Sequence, residues 1–589
     1  MEYRILTQFY SQIEKTSRRT EMINSLVQLF KQTPKEVIDK VVYLSTGKIA
    51  PEYTGLEYNF GEKLAIRALS RILKIPSYEI EKKVREVGDL GEAGRILYES
   101  LNFKPEGYLT VEEVYEGFLN IAKAVGIGSQ EKKIRILISL LRKARAEEVK
   151  YLLRTITERL RLGIGENTIL EALAIAFTGN STNRDILERA YNLCSDIGYV
   201  ARVLASEGLE GVKGIKIEVG RPIRPMLAER MGSPVLILRK LGGRCGAEYK
   251  YDGERVQVHR KGDEFYLFSR RLENITHQYP DLIEFLKEAI DHDFIIELEA
   301  VVIDPSSGEV KPFQELMHRK VKYVTRYHIL KYPVAGFIFD ILYLDGEDLT
   351  LKPYPERRAI LERVVKRTER INLVPQRVVD EVEDLESFFY QAIEEGCEGL
   401  VCKSLSSESV YQAGKRGFLW IKYKRDYKSV LADTLDLVVI GGFWGKGQRR
   451  GTFGSLLMAC YDPDTDTFKT VTKVGTGFTE DDFKKLEEML MPRKLNHKHP
   501  RVDSILSADI WFEPFLVLEI TGAELTLSPV HTCGWGKVAS SRGIGLRFPR
   551  FTGRYRLDKK PEDATTEQEI IEMYKMQRKI KVSFQKVER

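Results

Sequence analysis

The spacing of apolar residues changes twice along this chain of 589 residues, and the changes divide it into three parts. From residue 1 to about 215 the apolar residues recur at helical intervals, and from 216 to about 430 strands alternate with a few helices. From 431 onward short strands are separated by glycine turns. We therefore predict a multidomain protein: an all-α domain at 1–215, an α+β domain at 216–430 and a small β-barrel with a charged tail at 431–589.

Composition narrows the class of protein. Hydrophobic residues make up 43% of the chain and charged residues 30%, which is typical of a folded globular protein. The net charge is only +6, so any binding of nucleic acid must depend on local basic surfaces. The six cysteines form no CxxC pair, which argues against a structural zinc site or a disulfide framework and favours a reducing compartment. Because the N-terminus has no signal-peptide pattern and no apolar run could span a bilayer, we predict a soluble, cytoplasmic protein without membrane contact.

The helical part contains two glycine turns that could contact phosphate. Its clearest helical spacing is at 147–162, where the apolar residues are Val149, Leu152, Leu153, Ile156 and Leu160. A continuous helix there would align Arg154 and Arg161, which are seven residues apart. Two Gly-Ile-Gly segments, Gly126–Gly128 and Gly163–Gly165, each precede a predicted helix. Such turns let backbone N–H groups approach the backbones of a duplex, although an ordinary connector between helices is the alternative.

A charged segment near the middle of the chain could supply a nucleophile. Lys250-x-Asp252-Gly253-x-Arg255 reads as a strand that runs into a tight turn. A neutral lysine amine is a good nucleophile, and burial and nearby cations lower its pKa enough to supply it. A hairpin with a solvated charged rim explains the same residues equally well.

Other charged residues lie at alternate positions of predicted strands. Glu297 and Glu299 share one strand face, and acids in a hydrophobic strand need a cation or another partner. Lys422 and Lys424 also share a face, and they repel each other unless an anion such as a triphosphate lies between them. Their charge would also help to keep Lys250 deprotonated.

The order Lys-x-Asp-Gly-x-Arg resembles the first motif of the covalent nucleotidyltransferases, which are DNA ligases, RNA ligases and mRNA capping enzymes. Companion segments follow in the family's order and resemble its motifs III, IIIa, IV, V and VI. They contain Glu299, Phe337-Ile-Phe339-Asp340 in a hairpin strand, Glu398 to Lys403, Arg416 to Lys424, and Gly545 to Lys559. The stretch Leu160–Gly165 resembles the helical domain of archaeal and eukaryotic DNA ligases. The chain as a whole is similar to the three-domain archaeal ATP-dependent DNA ligases.

This resemblance implies a fold and an activity. The helical domain would grip DNA, the central domain would be the nucleotidyltransferase, and the barrel would have the oligonucleotide-binding (OB) fold. Lys250 would take AMP from ATP, and nicked double-stranded DNA would be sealed in replication, repair and recombination.

The resemblance also implies residue roles. Glu299 and Glu398 would hold Mg²⁺, and Lys403 would contact a phosphate or the DNA backbone. Glu248 would read the adenine and Phe339 would stack on it. The implied ATP contacts are Glu248, Arg255, Arg270, Glu299, Phe339, Arg416, Lys422, Lys424, Arg556 and Lys559. The implied DNA contacts are Arg154, Arg161, Gly126, Gly128, Gly163 and Gly165.

Two alternative functions remain at this point, and the sequence leaves open whether a sliding clamp is a partner. An RNA ligase or capping enzyme shares motifs I to V, but the large helical domain argues against both. A catalytically inactive clamp on duplex DNA would have lost the nucleophile, whereas Lys250 and Lys422 are present. The tail segment Gln577–Phe584 partly resembles a sliding-clamp peptide, and an exposed basic tail is the plain alternative. We expect a monomer.

Overall fold

The computed structural model describes residues 1–304, 310–311, 313–321, 323–424, 434–445, 453–522 and 524–575. Within them a helical N-terminal region, a mixed central region and a strand-rich C-terminal region follow one another, as the apolar spacing predicted. No helix of the described residues is long and apolar enough to cross a membrane. All six cysteines are buried free thiols.

The N-terminal region packs the apolar faces of its helices into one core. Local signals fix the helix ends: Thr110 and Glu113, for example, form a capping box at the start of the helix Val111–Lys123. The helices are α1 (Tyr3–Glu14), α2 (Arg19–Gln32), α3 (Ile38–Ser45), α4 (Glu62–Leu73), α5 (Ser77–Val87), α6 (Leu90–Ser100), α7 (Val111–Lys123), α8 (Ser129–Lys143), α9 (Ala146–Ile156), α10 (Glu166–Thr178), α11 (Arg184–Cys194) and α12 (Ile197–Lys213).

Helix α9 is shorter than the apolar spacing predicted, because it ends at Ile156 and not near residue 162. Glu158 and Arg161 have φ values of 57° and 58°, which lie outside any right-handed helix. Leu160 is nevertheless buried, so a loop residue imitated the helical pattern. Arg154 and Arg161 therefore do not lie on one continuous helix face.

The central region is built on two sheets, most of whose strand pairs are antiparallel. One sheet has the order β1-β11-β10-β2-β9, and the other has the order β4-β3-β5-β6-β7, with β8 parallel to β6. The strands are β1 (Leu227–Arg230), β2 (Cys245–Lys250), β3 (Glu254–Lys261), β4 (Glu264–Ser269), β5 (Phe294–Val302), β6 (Val334–Leu344), β7 (Glu347–Asp348), β8 (Ile371–Leu373), β9 (Gln376–Val379), β10 (Gly399–Ser404) and β11 (Arg416–Lys424). The helices are α13 (Pro234–Lys240), α14 (Pro280–Ala289), α15 (Phe313–Leu316), α16 (Arg326–Lys331), α17 (Tyr354–Val364) and α18 (Val382–Glu394).

The C-terminal region is rich in strands, but the prediction of strands alone was wrong. A helix, α19 (Glu480–Leu490), begins at a capping box of Thr479 and Asp482 and buries Phe483, Leu486 and Leu490. The strands are β12 (Leu435–Trp444), β13 (Phe453–Asp462), β14 (Thr467–Val474), β15 (Lys494–Leu495), β16 (Val502–Asp503), β17 (Ile510–Phe512), β18 (Val517–Thr521), β19 (Glu524–Ser528), β20 (Gly543–Arg547) and β21 (Arg550–Tyr555). Strand β12 pairs with β13, β17 and β18, so the sheet curls around it, and a last helix covers 567–575.

The C-terminal region contacts the N-terminal region directly. Thr168 Oγ1 on α10 donates to Asp466 Oδ2 over 2.8 Å. Lys560 Nζ lies 2.9 Å from Glu52 Oε1, and Asn496 Nδ2 donates to the Val87 carbonyl over 2.7 Å. The C-terminal region also contacts the central region through Asp436 and Arg554, and we call this state, in which it contacts both other regions, the closed arrangement.

Candidate active site

A cavity of about 860 Å³ lies where the two central sheets meet the C-terminal region. It is lined by all of the residues that the sequence predicted for catalysis, ATP or metal. They are Lys250, Glu248, Arg255, Arg270, Glu299, Phe339, Glu398, Arg416, Lys422, Lys424, Arg556 and Lys559. The structure therefore brings this set together from across more than three hundred residues of chain, while their individual roles stay predictions.

Lys250 is placed by the pairing of β2 with β10. In this ladder Lys250 is opposite Gly399, and Glu398 N donates to the Lys250 carbonyl over 2.8 Å. A Cβ at Gly399 would lie 2.1 Å from the Tyr423 carbonyl, so only glycine allows β10 to approach β11 this closely. A side chain at Gly253 would meet the Ala300 carbonyl at 2.3 Å, which explains the glycine of the charged segment.

The amine of Lys250 is held by carboxylates. Its Nζ lies 2.7 Å from Glu398 Oε2, and Lys424 Nζ lies 3.0 Å from the same oxygen. Burial alone would lower the pKa of Lys250, but the charges of Glu398 and Glu299 outweigh burial and raise it above its ordinary value. The expectation that Lys422 and Lys424 keep Lys250 deprotonated is therefore wrong for this state, in which Lys424 shares Glu398 with Lys250.

Glu299 and Glu297 lie on one face of β5 but in different surroundings. Glu297 is buried and binds Arg255, whose Nη2 lies 2.9 Å and 2.7 Å from its two carboxylate oxygens. Glu299 faces the cavity, where burial raises its pKa to about 7 although Lys250 and Arg255 are close. Glu297 therefore positions Arg255, whereas Glu299 is available to a cation.

The cavity wall includes an aromatic ring and a buried acid. Phe339 lies at the wall, with its ring centroid 6.2 Å from that of Trp420. Glu248 is almost completely buried and binds Tyr354 Oη and Lys403 Nζ, the latter at 2.6 Å. Lys403 is itself 1% exposed, and its charge neutralises that of Glu248. This burial does not support the expected contact of Lys403 with a phosphate or the DNA backbone.

The cavity wall also carries several cations. Burial, together with Arg230 and Lys559, puts the pKa of Lys422 well below its ordinary value, although Glu569 acts in the opposite direction. Burial also lowers the pKa of Arg270. Arg416 binds Glu569 of the C-terminal helix at 567–575. Buried positive charges with few acidic partners need an anion, and a triphosphate is one that fits.

The C-terminal region also lines the cavity, and it contributes residues that the sequence did not indicate. Arg554 Nη2 lies 2.8 Å from Asp252, and its Nη1 lies 3.4 Å from Glu398. Arg556 Nη1 lies 3.1 Å from Asp436 Oδ2, which Lys559 also contacts. Asp436 is an acid in a hydrophobic strand, the same signal that identified Glu299, so the sequence could have indicated it.

Comparison with known proteins agrees with this geometry. Family models match the chain as a DNA ligase N terminus at 2–174, an ATP dependent DNA ligase domain at 225–424 and an ATP dependent DNA ligase C terminal region at 449–559. A probable DNA ligase of Aquifex aeolicus (strain VF5) is 83% identical over 582 residues, covering 99% of this chain and 100% of that protein. The chain belongs to the ATP-dependent DNA ligases.

Two further relatives match over nearly the whole chain. A probable DNA ligase of Persephonella marina is 71% identical, covering 99% of this ligase and 100% of that protein. DNA ligase 2 of Thermofilum pendens is 53% identical, covering 98% of both chains. The matched length includes the helical region, the cavity and the C-terminal region.

The residues predicted to bind DNA lie outside the cavity of this ligase, and they differ in exposure. Arg154 is buried, with Nε 3.1 Å from Asp89 Oδ1 and Nη1 2.9 Å from Glu14 Oε1. Arg161 reaches the same acid from its loop, with Nη1 3.0 Å from Asp89 Oδ2. Arg154 is therefore part of the core and not a surface for phosphate in this arrangement.

The two glycine turns are also in different situations. Gly126 and Gly128 have φ values of 84° and 79° in a turn whose Ile127 is fully exposed. Side chains at Gly163 and Gly165 would meet Pro500 at 2.6 Å and Asp466 at 2.5 Å. The first turn is open to a partner, whereas the C-terminal region covers the second.

Proposed function

We propose that this ligase uses ATP to seal nicks between a 3′-hydroxyl and a 5′-phosphate in duplex DNA. AMP would pass from ATP to Lys250 and then to the 5′-phosphate, and the 3′-hydroxyl would displace it. The observation that supports this most directly is the position of Lys250 Nζ. It lies in the cavity that Phe339, Glu299 and Lys422 also line.

In the first transfer the lone pair of neutral Lys250 Nζ forms a bond to the α-phosphorus of ATP. The bond from that phosphorus to the bridging oxygen breaks, and pyrophosphate leaves with the electron pair. Arg556, Lys559 and Lys422 line the same cavity as Lys250 and would offset this charge. Lys250 must lose its proton first, because only the neutral amine has the lone pair.

In the second transfer a 5′-phosphate oxygen bonds to the AMP phosphorus, and the nitrogen–phosphorus bond breaks to return the Lys250 amine. In the third transfer the 3′-hydroxyl oxygen loses its proton and bonds to the 5′-phosphorus, and AMP leaves. Both steps put a DNA phosphate beside Lys250, so the DNA end must reach the cavity that Arg554 now closes.

The donor set at Lys250 fits Mg²⁺. No group of three or more acidic, histidine or cysteine side chains that could hold a metal is found among the described residues. Mg²⁺ is usually held by one or two carboxylates together with substrate phosphates, and Glu299 and Glu398 supply two. Burial raises the pKa of Glu299 and of Asp252, so this corner favours an added positive charge. When bound, Mg²⁺ would neutralise phosphate charge.

A sealing assay tests the proposal. A duplex with one labelled 5′-phosphate nick is incubated with Mg²⁺ and ATP, GTP or NAD, and nicks bordered by RNA serve as competitors. We expect sealing of the DNA nick with ATP. Sealing only of RNA ends, or transfer of GMP, would favour the RNA ligase or capping alternative.

Further parts of the proposal concern the surroundings of this activity. We place the protein in the cytoplasm as a monomer, and we interpret the curled C-terminal sheet as an OB fold. We also propose a sliding clamp as a partner through Gln577–Phe584, which lies outside the described residues. Truncation at Met576 with and without a clamp separates this partner from the basal activity.

A further inference from the structure

Asp436 is a fully buried carboxylate on β12 that receives three cations. Arg230 Nη2 lies 2.7 Å and Arg556 Nη1 lies 3.1 Å from its Oδ2, and Lys559 Nζ binds the same oxygen. The backbone of Asp436 is held by Thr565, which donates to its carbonyl over 2.8 Å and accepts from its N–H at 2.9 Å. The side chain therefore has one fixed direction.

The three cations come from two different regions. Arg230 ends strand β1 of the central region, whereas Arg556 and Lys559 follow β21 of the C-terminal region. All three line the cavity, although Asp436 itself lies behind them. The carboxylate thus joins the two walls of the cavity at the point where both present positive charge.

The negative charge of Asp436 offsets the positive charges that meet where the C-terminal region contacts the central region. Lys422, which is close to Arg230 and Lys559, and Arg270, which is close to Arg556, add further positive charge. Without an acid at position 436 these cations would repel across the boundary between the regions. The pKa of Asp436 lies well below its ordinary value because Arg556, Lys559 and Arg230 outweigh its burial, so the side chain is fully ionised.

We propose that Asp436 is a positioning residue for the first transfer: it docks the C-terminal region on Arg230 and so holds Arg556 and Lys559 in the wall of the cavity, where they would contact the triphosphate. This inference rests on the proposed function. Its consequence is selective. Enzyme adenylation requires the docked arrangement, whereas sealing of a nick that already carries AMP requires the DNA end at Lys250 and not these cations.

The experiment compares the two reactions in Asp436→Asn, a change that keeps the shape of the side chain. We expect the rate of adenylation at saturating ATP to fall about a hundredfold, with sealing of a pre-adenylated nick within about threefold of the unmodified protein. Arg230→Met should give the same pattern. The double variant should be no slower than Asp436→Asn alone, because both changes remove the same contact, that between Asp436 and Arg230.

A matched control is Asp462→Asn. Asp462 is another buried carboxylate of the C-terminal region, 2.7 Å from Lys469 and away from the cavity. It should change both reactions by the same factor. Equal losses of both reactions in Asp436→Asn, or an unchanged adenylation rate, would overturn the inference, and Arg230→Met decides if Asp436→Asn does not fold. If the unmodified protein forms no AMP adduct, the proposed function itself fails.

Discussion

Lys250 Nζ and Glu398 Oε2 lie 2.7 Å apart in a cavity that the C-terminal region closes. This ion pair holds the candidate nucleophile in place, and it also keeps it protonated, since the pKa of Lys250 is raised. In this resting state Lys250 is protonated, so it must lose its proton before the first transfer.

The pH dependence of adenylation should report this pair. Since only neutral Lys250 reacts, the rate should rise with pH until the pKa of Lys250 is passed. Glu398→Gln removes the largest of the charges that raise this pKa, so the rate profile should move to lower pH even though the maximum rate falls. Glu395→Gln, an exposed neighbour, should leave the profile in place. A shift to higher pH in Glu398→Gln would contradict the pairing.

The Mg²⁺ requirement should also depend on pH. Glu299 has a pKa of about 7, and a carboxylate must be ionised to bind a metal. Below pH 7 the Mg²⁺ concentration for half-maximal adenylation should rise about tenfold per pH unit. Glu299→Gln should need more Mg²⁺ and lose this dependence. Titrations of adenylation rate against Mg²⁺ from pH 5.5 to pH 8 measure it, and a requirement that is flat over this range would exclude Glu299 as a ligand.

Arg154 should matter for stability and not for DNA. Its side chain is 8% exposed between Asp89 and Glu14, and removing one partner of a buried ion pair costs about 3–5 kcal/mol. Arg154→Met should therefore lower the free energy of unfolding by about this amount, whereas Arg135→Met, at 73% exposed, should change it by less than about 0.5 kcal/mol. Chemical denaturation measures both. A stable Arg154→Met variant with weakened DNA binding would restore Arg154 as a phosphate contact.

Nicked DNA should compete with the contact between α10 and the C-terminal region, because this contact covers the turn Gly163–Gly165. Thr168→Val removes the hydrogen bond to Asp466, which keeps Arg501 and Tyr461 as partners. A net hydrogen bond contributes about 0.5–1.5 kcal/mol, so affinity for nicked DNA should rise about twofold to tenfold.

The matched control for this change is Thr178→Val on the same helix. Thr178 Oγ1 donates within α10, to the Ala174 carbonyl over 2.7 Å. Fluorescence titration of nicked DNA should show no gain for this variant. A loss of affinity in Thr168→Val would mean that the closed arrangement favours DNA.

The residues that line the cavity could be predicted from the sequence, whereas the placement of the residues outside it was predicted less well. The residues of the cavity could be predicted from short stretches of sequence. Lys250, Glu299 and Lys422 each lie on a strand, and the alternation of a strand sets the direction of the side chain. Arg161 was placed on a helix because Leu160, which is buried from a loop, extends the apolar spacing beyond Ile156. Arg154 does lie on the helix, but its side chain binds the buried acids Asp89 and Glu14.

The contacts between regions could not be predicted in this way. The bonds of Arg554 to Asp252 and of Thr168 to Asp466 join residues about three hundred positions apart. Nothing in the local spacing of either partner indicates the other. The helix α19 could have been found, since Thr479 and Asp482 form a capping pattern before Phe483 and Leu486.

Labelling with α-labelled ATP tests the central claim most directly. Three proteins are compared: the unmodified protein, Lys250→Ala and the control Lys261→Ala. Lys261 is an exposed lysine at the end of β3. Each protein is incubated with the labelled ATP and Mg²⁺ and then run on a denaturing gel. Covalent label should appear on the unmodified protein and on Lys261→Ala and be absent from Lys250→Ala, which should still seal a pre-adenylated nick. Undiminished label on Lys250→Ala would contradict the assignment of Lys250 as the residue that carries AMP.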